Sequence, residues 1–286
     1  MELVRNPKME GTEFWDCRPQ IGRCPINCNE CFYNREGAFY SDPNVPYIPS
    51  PSQVGNGLVR FNCGHDSNIQ RDLVIETAQK YKNFFFNTSL PRFDFPGPVV
   101  FTANAKEEEP AWEPTRYYPT VPPDKKCISD GQIPFLDNLM FVRLRVSPTN
   151  LNLIERAIYD WRNTAPVVLT FMAYYDQIPP GTYTINQEMG LDGQKCLWTT
   201  PKGFPRKIVA YEWKVRHINS YFCPTKEFMQ YVMRWAKKIG GRQVTMCSDF
   251  DSYYCRDCMN CETYYVQTMK HLKERGFKYN NCPTVR

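Results

Sequence analysis

A chain of 286 residues, 42% hydrophobic and 15% aromatic, has apolar surface enough for a sizeable core and falls outside the disordered class. Its net charge of +5 is unevenly spread: residues 201–286 hold 16 Lys and Arg against 7 Asp and Glu, the remainder 19 against 23. That basic third could meet phosphates or be a solvated face balancing an anionic centre, and no unbroken basic run or RNA-binding signature marks it.

In chain order, Phe14 to Ile21 reads as a first strand, and the Pro-, Gly-, Ser- and Asn-rich residues 35–57 as an irregular connection. Leu58 to Gly64 is a second strand, followed by a polar turn and a helix over 69–81 with Leu73, Val74, Thr77 and Ala78 as its apolar face. Asn83 to Ser89 and Pro98 to Asn104 are a third and a fourth strand. The link between them, residues 90–97, is shorter than a parallel crossover normally needs, so either the crossover is reduced to a loop or one strand lies elsewhere.

Residues 105–137, with an acidic run and many prolines, form a surface excursion. Asn138 to Ser147 is a fifth strand, residues 150–164 an amphipathic helix, and Ala165 to Tyr175 a near-continuous apolar sixth strand of the buried parallel kind. Residues 176–222 read as a second Pro/Gly-rich excursion. A helix over 225–239 follows, opened by Pro224 and stopped by Gly240-Gly241, then a strand over 243–247 and a last basic helix over 264–276. Strand–helix alternation predicts an α/β fold with a parallel sheet. Residues 1–10 lack the apolar run of a signal peptide, and stretches such as 166–175 are too short to cross a bilayer. The expectation is a soluble, cytoplasmic protein with no membrane partner.

Thirteen cysteines in an intracellular chain point to metal rather than disulfides, and seven of them fall into two tight groups. The first, Cys24-Pro25-Ile26-Asn27-Cys28-Asn29-Glu30-Cys31, is C-x3-C-x2-C. Three thiolates are too few to close a tetrahedral zinc site, although a zinc knuckle or structural thiols are the plain alternative. They suit a [4Fe–4S] cluster with one iron left open to a small molecule. At these residues the chain resembles the radical S-adenosylmethionine (SAM) superfamily, whose hallmark is this spacing near the N-terminus.

The resemblance implies a partial (βα)6 TIM-like barrel of parallel strands with a Cys-rich C-terminal extension. It implies SAM on the open iron, a flavodoxin or ferredoxin as electron donor, and reductive cleavage of SAM to a 5′-deoxyadenosyl radical that abstracts hydrogen from a substrate. Glu30 stands where the family has an aromatic residue near the SAM adenine, and Phe32 and Tyr33, just after, can take over that packing. At the end of the second strand the family holds the SAM amino group. Asn62-Cys63-Gly64-His65-Asp66 occupies that place without the common Gly-Gly-Glu form, which makes Asn62, Gly64 and Asp66 candidate contacts. The alternative there is an ordinary turn with Asn68 as helix N-cap. By position in the implied fold, Asn104, Ser147 and Met172 are candidates for SAM ribose or adenine contacts. Turn capping serves equally for the first two and core packing for the third.

The second group, Cys247, Cys255, Cys258 and Cys261, is C-x7-C-x2-C-x2-C. Four thiolates can ligate a second [4Fe–4S] cluster or one zinc, and the consecutive spacing favours the cluster. It falls where relatives with an auxiliary cluster carry theirs, giving two regions, 1–222 (barrel with insertions) and 223–286 (helix and auxiliary-cluster region). A peptide or protein side chain, by analogy, and a nucleobase or nucleic acid, from the basic third with its interleaved aromatics, are both substrate expectations. From another class, a non-catalytic zinc-binding interaction module would use the same two cysteine groups.

Overall fold

The computed structural model describes residues 5–26, 28, 31, 42–103, 137–175, 177–185, 193–201, 205–216, 219–252 and 254–276. The expected α/β class is observed. Seven strands form one sheet in the order β1 (Phe14–Cys17), β2 (Leu58–Phe61), β3 (Asn83–Thr88), β4 (Val99–Ala103), β5 (Leu139–Val146), β6 (Val167–Phe171) and β11 (Val244–Met246). Every pairing in it is parallel. The first six follow chain order, and the seventh is supplied by the strand expected at 243–247.

Side-chain alternation sends the two apolar sets of each strand to opposite faces. Val59, Phe61, Phe86, Val99, Phe101, Val142, Leu144, Val167, Leu169 and Val244 face α2 (Arg71–Ala78), α3 (Leu151–Trp161) and α4 (Lys226–Gly240). The other parity, Phe14, Leu58, Phe85, Val100, Phe141 and Val168, forms a second core under α6 (Asn260–Glu274). A sheet covered on both faces explains the near-continuous apolar runs. Gly240, ending α4, is required by close approach: a Cβ there would meet Val244 Cγ2 at 2.3 Å and Ile158 Cγ2 at 2.8 Å.

Several expectations change. β3 and β4 are adjacent parallel partners, so the crossover is indeed reduced to a loop. Phe95 stacks on Phe86 with centroids 4.5 Å apart and Phe93 meets Phe101 edge-on at 5.0 Å, covering the sheet where a helix would lie. The buried Asn138 amide donates to the Phe93, Phe95 and Gly97 carbonyls at 2.7–3.3 Å, giving this loop the partners that a helix supplies to itself. Asn138→Leu should therefore lower stability by about 1–2 kcal/mol in urea unfolding.

Residues 176–222, expected to be irregular, instead contain an antiparallel sheet of β7 (Tyr183–Ile185), β8 (Lys195–Thr199), β9 (Lys207–Arg216) and β10 (Asn219–Pro224). Its inward side chains share the helix-side core, where Phe228 of α4 touches Phe171, Trp198 and Tyr211. Tertiary packing organised a stretch whose prolines and glycines, taken locally, read as loop. The expected excursion at 105–137 falls almost wholly outside the described residues. Residues 35–57 include the short helix α1 (Pro51–Val54), closed by a Ser50–Gln53 capping box.

Helix details differ as well. The N-cap position of α2 is Gln70, in a left-handed conformation and without a side-chain capping bond, not Asn68, whose amide is drawn to Thr88 Oγ1 and the Arg92 carbonyl. Leu73 lies outside its apolar face at 40% exposure. Pro224 ends β10, and Thr225 is the N-cap of α4, accepting from the Phe228 N–H at 3.2 Å. The last helix starts at Asn260 rather than 264, which places Cys261 in its first turn. Among the described residues no helix is long and apolar enough to cross a membrane.

Candidate functional site

β1 ends at Cys17, and the next residue opens the loop that carries the first cysteine group. Arg18 and Tyr47 exchange backbone hydrogen bonds at 2.7 and 2.8 Å, and the Gly22 N–H reaches the Pro43 carbonyl at 2.7 Å, so both ends of the loop are tied together. The φ of Gly22, +93°, is one that L residues rarely adopt. The Arg18 guanidinium, 5% exposed, donates to the carbonyls of Gln20, Asp42, Pro43 and Val45 at 2.8–2.9 Å. One buried side chain thus fastens the loop base.

Within the loop Cys24, Cys28 and Cys31 are half-buried, with the Cys31 N–H on the Cys28 carbonyl at 3.1 Å. Burial pushes the Cys24 thiol up to about 12, the charges of Asp66, Cys28 and Cys31 acting in the same direction. Cys28 Sγ lies 3.8 Å from Ser89 Oγ, at the end of β3. The loop therefore leaves the C-terminal end of β1 and brings Cys28 to the C-terminal end of β3, the end of a parallel sheet where ligands bind.

Asp66 organises this corner. Its carboxylate, 1% exposed, accepts from the Asn68 N–H, Thr88 Oγ1, the Ser89 N–H and Ser89 Oγ at 2.6–2.9 Å. His65, lowered from its ordinary range mainly by burial, accepts the Asp66 N–H through Nδ1 at 2.9 Å. Asn62 takes a left-handed φ of +59° and donates its amide to Ser67 Oγ at 3.1 Å. Its buried Oδ1 has no hydrogen-bond partner, and neither has Oε1 of the fully buried Gln20. Gln20 donates its amide to the Asp66 and Ile69 carbonyls, so both orphaned oxygens belong to the same turn. Gly64 lies in that turn. Asp66→Asn would set an amide N–H₂ against these donors; we expect a loss of about 2–3 kcal/mol in thermal unfolding.

Of the remaining candidates, Glu30, Phe32, Tyr33 and Asn104 lie outside the described residues. Ser147 is 1% exposed and serves a turn, its N–H on Asn150 Oδ1 at 2.9 Å and its Oγ 3.2 Å from Thr149 Oγ1. Met172 is packed into the helix-side core at 7% exposure. The structure does not bring these two to the cysteine loop by any described contact.

The second group lies on the face of the sheet that α6 covers. The Cys247 N–H continues the β11–β6 ladder onto the Leu169 carbonyl at 2.7 Å. Cys255 and Cys258 bound the one-turn helix α5 (Cys255–Cys258), and Asn260 Nδ2 donates to the Met246 carbonyl at 2.6 Å, which holds the start of α6 against β11. Cys247, Cys255 and Cys261 pack on the second core. Cys247 is held low chiefly by a hydrogen bond from Cys258, which is raised correspondingly, while burial pushes Cys261 up to about 12. From its first turn α6 runs along the sheet, with Tyr264 5.3 Å from Phe141 and Tyr265 Oη 3.5 Å from Asn83 Oδ1. Arg275 is ion-paired to Asp137, just before β5, and His271 Nε2 lies 3.6 Å from the same carboxylate. In neither cysteine group, among the described residues, do three Cys, His, Asp or Glu side chains already form a metal-holding set.

Sequence reading missed Arg18, Gln20, Ser89 and the polar row of the second face. In that row Asp16 and Arg60 form an ion pair at 2.7 Å, Asn6 donates to Asp16 at 3.0 Å, and Arg143 donates to Asn87 Oδ1 at 3.3 Å. A charged residue alternating with apolar ones in Leu58–Phe61 and Leu139–Val146 was the available signal. Comparison with protein-family models, with curated proteins and with solved structures found no match for this chain.

Proposed function

We propose that this protein is a radical SAM enzyme. One observation carries the reading: the loop of the C-x3-C-x2-C segment leaves the C-terminal end of β1 and sets Cys28 Sγ 3.8 Å from Ser89 Oγ at the end of β3, in the corner that Asp66 organises. Six parallel strands in chain order agree with a partial (βα)6 barrel.

The residues fit the groups this reading requires. Cys24, Cys28 and Cys31 are soft donors for three irons of a [4Fe–4S] cluster, and metal binding would draw them together and release their protons. Gln20 Oε1 and Asn62 Oδ1 are acceptors with capacity to spare, suited to the ammonium group of SAM. When bound, cluster and SAM together supply a one-electron reductive cleavage that yields a hydrogen-abstracting radical. The chain's own part is to hold and orient. Arg18 ties the loop ends, and Asp66 fixes Ser89 against Cys28. Cys247, Cys255, Cys258 and Cys261 would hold an auxiliary [4Fe–4S] cluster or a zinc. We further propose a cytoplasmic protein that takes electrons from a flavodoxin or ferredoxin and acts on a peptide side chain or a nucleobase.

The test begins with protein purified without oxygen. Iron, sulfide and zinc per chain are measured, then dithionite and SAM are added and 5′-deoxyadenosine is sought. About eight irons with 5′-deoxyadenosine is the expected result. About four irons and one zinc would keep the enzyme and make the second group structural. Zinc alone, with no 5′-deoxyadenosine, would overturn the reading in favour of a zinc-binding module.

A further inference from the structure

We infer that Arg60 and Arg143, with Lys8 beside them, form a cationic wall that raises the reduction potential of an iron–sulfur centre held by Cys247, Cys255, Cys258 and Cys261. This rests on the proposed reading of that group as iron–sulfur.

Strand alternation sets the geometry. Arg60 has the parity of Leu58, and Arg143 that of Phe141. Both therefore leave the sheet on the face where Leu58, Phe141, Val168 and Cys247, Cys255 and Cys261 pack. Arg60 is 11% exposed and paired with Asp16. The described contacts of Arg143 are neutral: the Asn87 amide oxygen and the Phe141 ring, 5.7 Å from the guanidinium carbon. Asp16 pairs with Arg60, and no described carboxylate pairs with Arg143, a charge that is expensive where water is scarce unless an anion is seated beside it.

The cysteines are where that anion would sit. Residues 7–9 lie against α5 with Met9 in the same core, which brings Lys8 to the face that Arg60 and Arg143 share with Cys247, Cys255 and Cys261. A centre with four thiolates is anionic, and one-electron reduction makes it more so. Fixed positive charge in a partly desolvated setting stabilises the reduced form more than the oxidised one. The first turn of the 15-residue helix α6, which carries Cys261, adds the positive end of its dipole.

The experiment is a redox titration, followed by electron paramagnetic resonance, of the full chain loaded with iron and sulfide. Of its two waves, the one whose signal SAM alters belongs to the first cysteine group and the other to the second. Arg143→Gln leaves no described carboxylate unpaired; it should shift the second wave's oxidised-to-reduced ratio at least tenfold toward oxidised, about 59 mV lower. Arg143→Lys, which keeps the charge, should stay near the wild type. Arg60→Gln should move the same wave in the same direction and leave the SAM-sensitive one in place. An unmoved second wave in both neutral variants overturns the inference, and so does zinc in place of iron at the second group. Neither outcome touches SAM cleavage, which is read separately as 5′-deoxyadenosine. Loss of cleavage with a shifted second wave would sink the enzyme and leave the cationic wall standing.

Discussion

Replacing Cys24, Cys28 and Cys31 together by alanine is expected to remove about four irons per chain and all 5′-deoxyadenosine formation, while the second group keeps its metal. The two groups lie on different supports. The first is carried by the loop between Arg18 and Tyr47, and the second by β11, α5 and the first turn of α6. The variant should still fold, because each of the three side chains is half-buried in a loop rather than packed in the sheet core. Circular dichroism and thermal unfolding check this, with a shift of no more than about 1–2 kcal/mol anticipated. Cys223→Ser is the control, since this thiol is 1% exposed within the core and approaches the Tyr221 carbonyl at 3.7 Å. It should lose some stability and no iron. Equal iron loss in the control and the triple variant would count against the loop as a metal centre.

Arg18→Met is expected to lower stability by about 3–5 kcal/mol and to leave the protein unable to retain iron at the first group. Methionine fills much of the volume of the arginine stem but donates nothing. The carbonyls of Gln20, Asp42, Pro43 and Val45 would then share a buried region with no replacement donor. Among the described residues, the loop base would retain the Arg18–Tyr47 and Gly22–Pro43 backbone bonds. Urea unfolding measures the first effect and iron content the second. Arg18→Lys should recover only part of the stability, because a single ammonium cannot reach in the directions that the guanidinium fork covers. Full stability with full iron in Arg18→Met would remove the fastening role.

Much of this architecture was legible in the chain because it rests on local patterns. Apolar runs at 58–61, 83–88, 99–103, 139–146 and 167–171 are strands, and the amphipathic period at 151–161 and 226–240 is helical. The two cysteine groups were visible as spacing alone. Other features depend on partners distant in sequence. Arg60 meets Asp16 across 44 residues, Asn138 satisfies carbonyls more than 40 residues earlier, and Arg18 reaches across the cysteine loop to Val45. No local window contains such pairs.

By itself, then, the sequence determined the α/β class, the parallel strands and the thiol spacing, since alternation, amphipathic period and ligand spacing are short-range properties of a chain. Only the tertiary structure decided the rest. It turned 183–224 into an antiparallel sheet, because Ile208, Ala210, Trp213 and Phe222 could be buried against α4. It moved Asn68 from helix capping to Thr88, and it took Ser147 into a turn and Met172 into the core. It also set Arg60 and Arg143 beside the second cysteine group, a placement that exists only once the sheet and α6 have closed over one another.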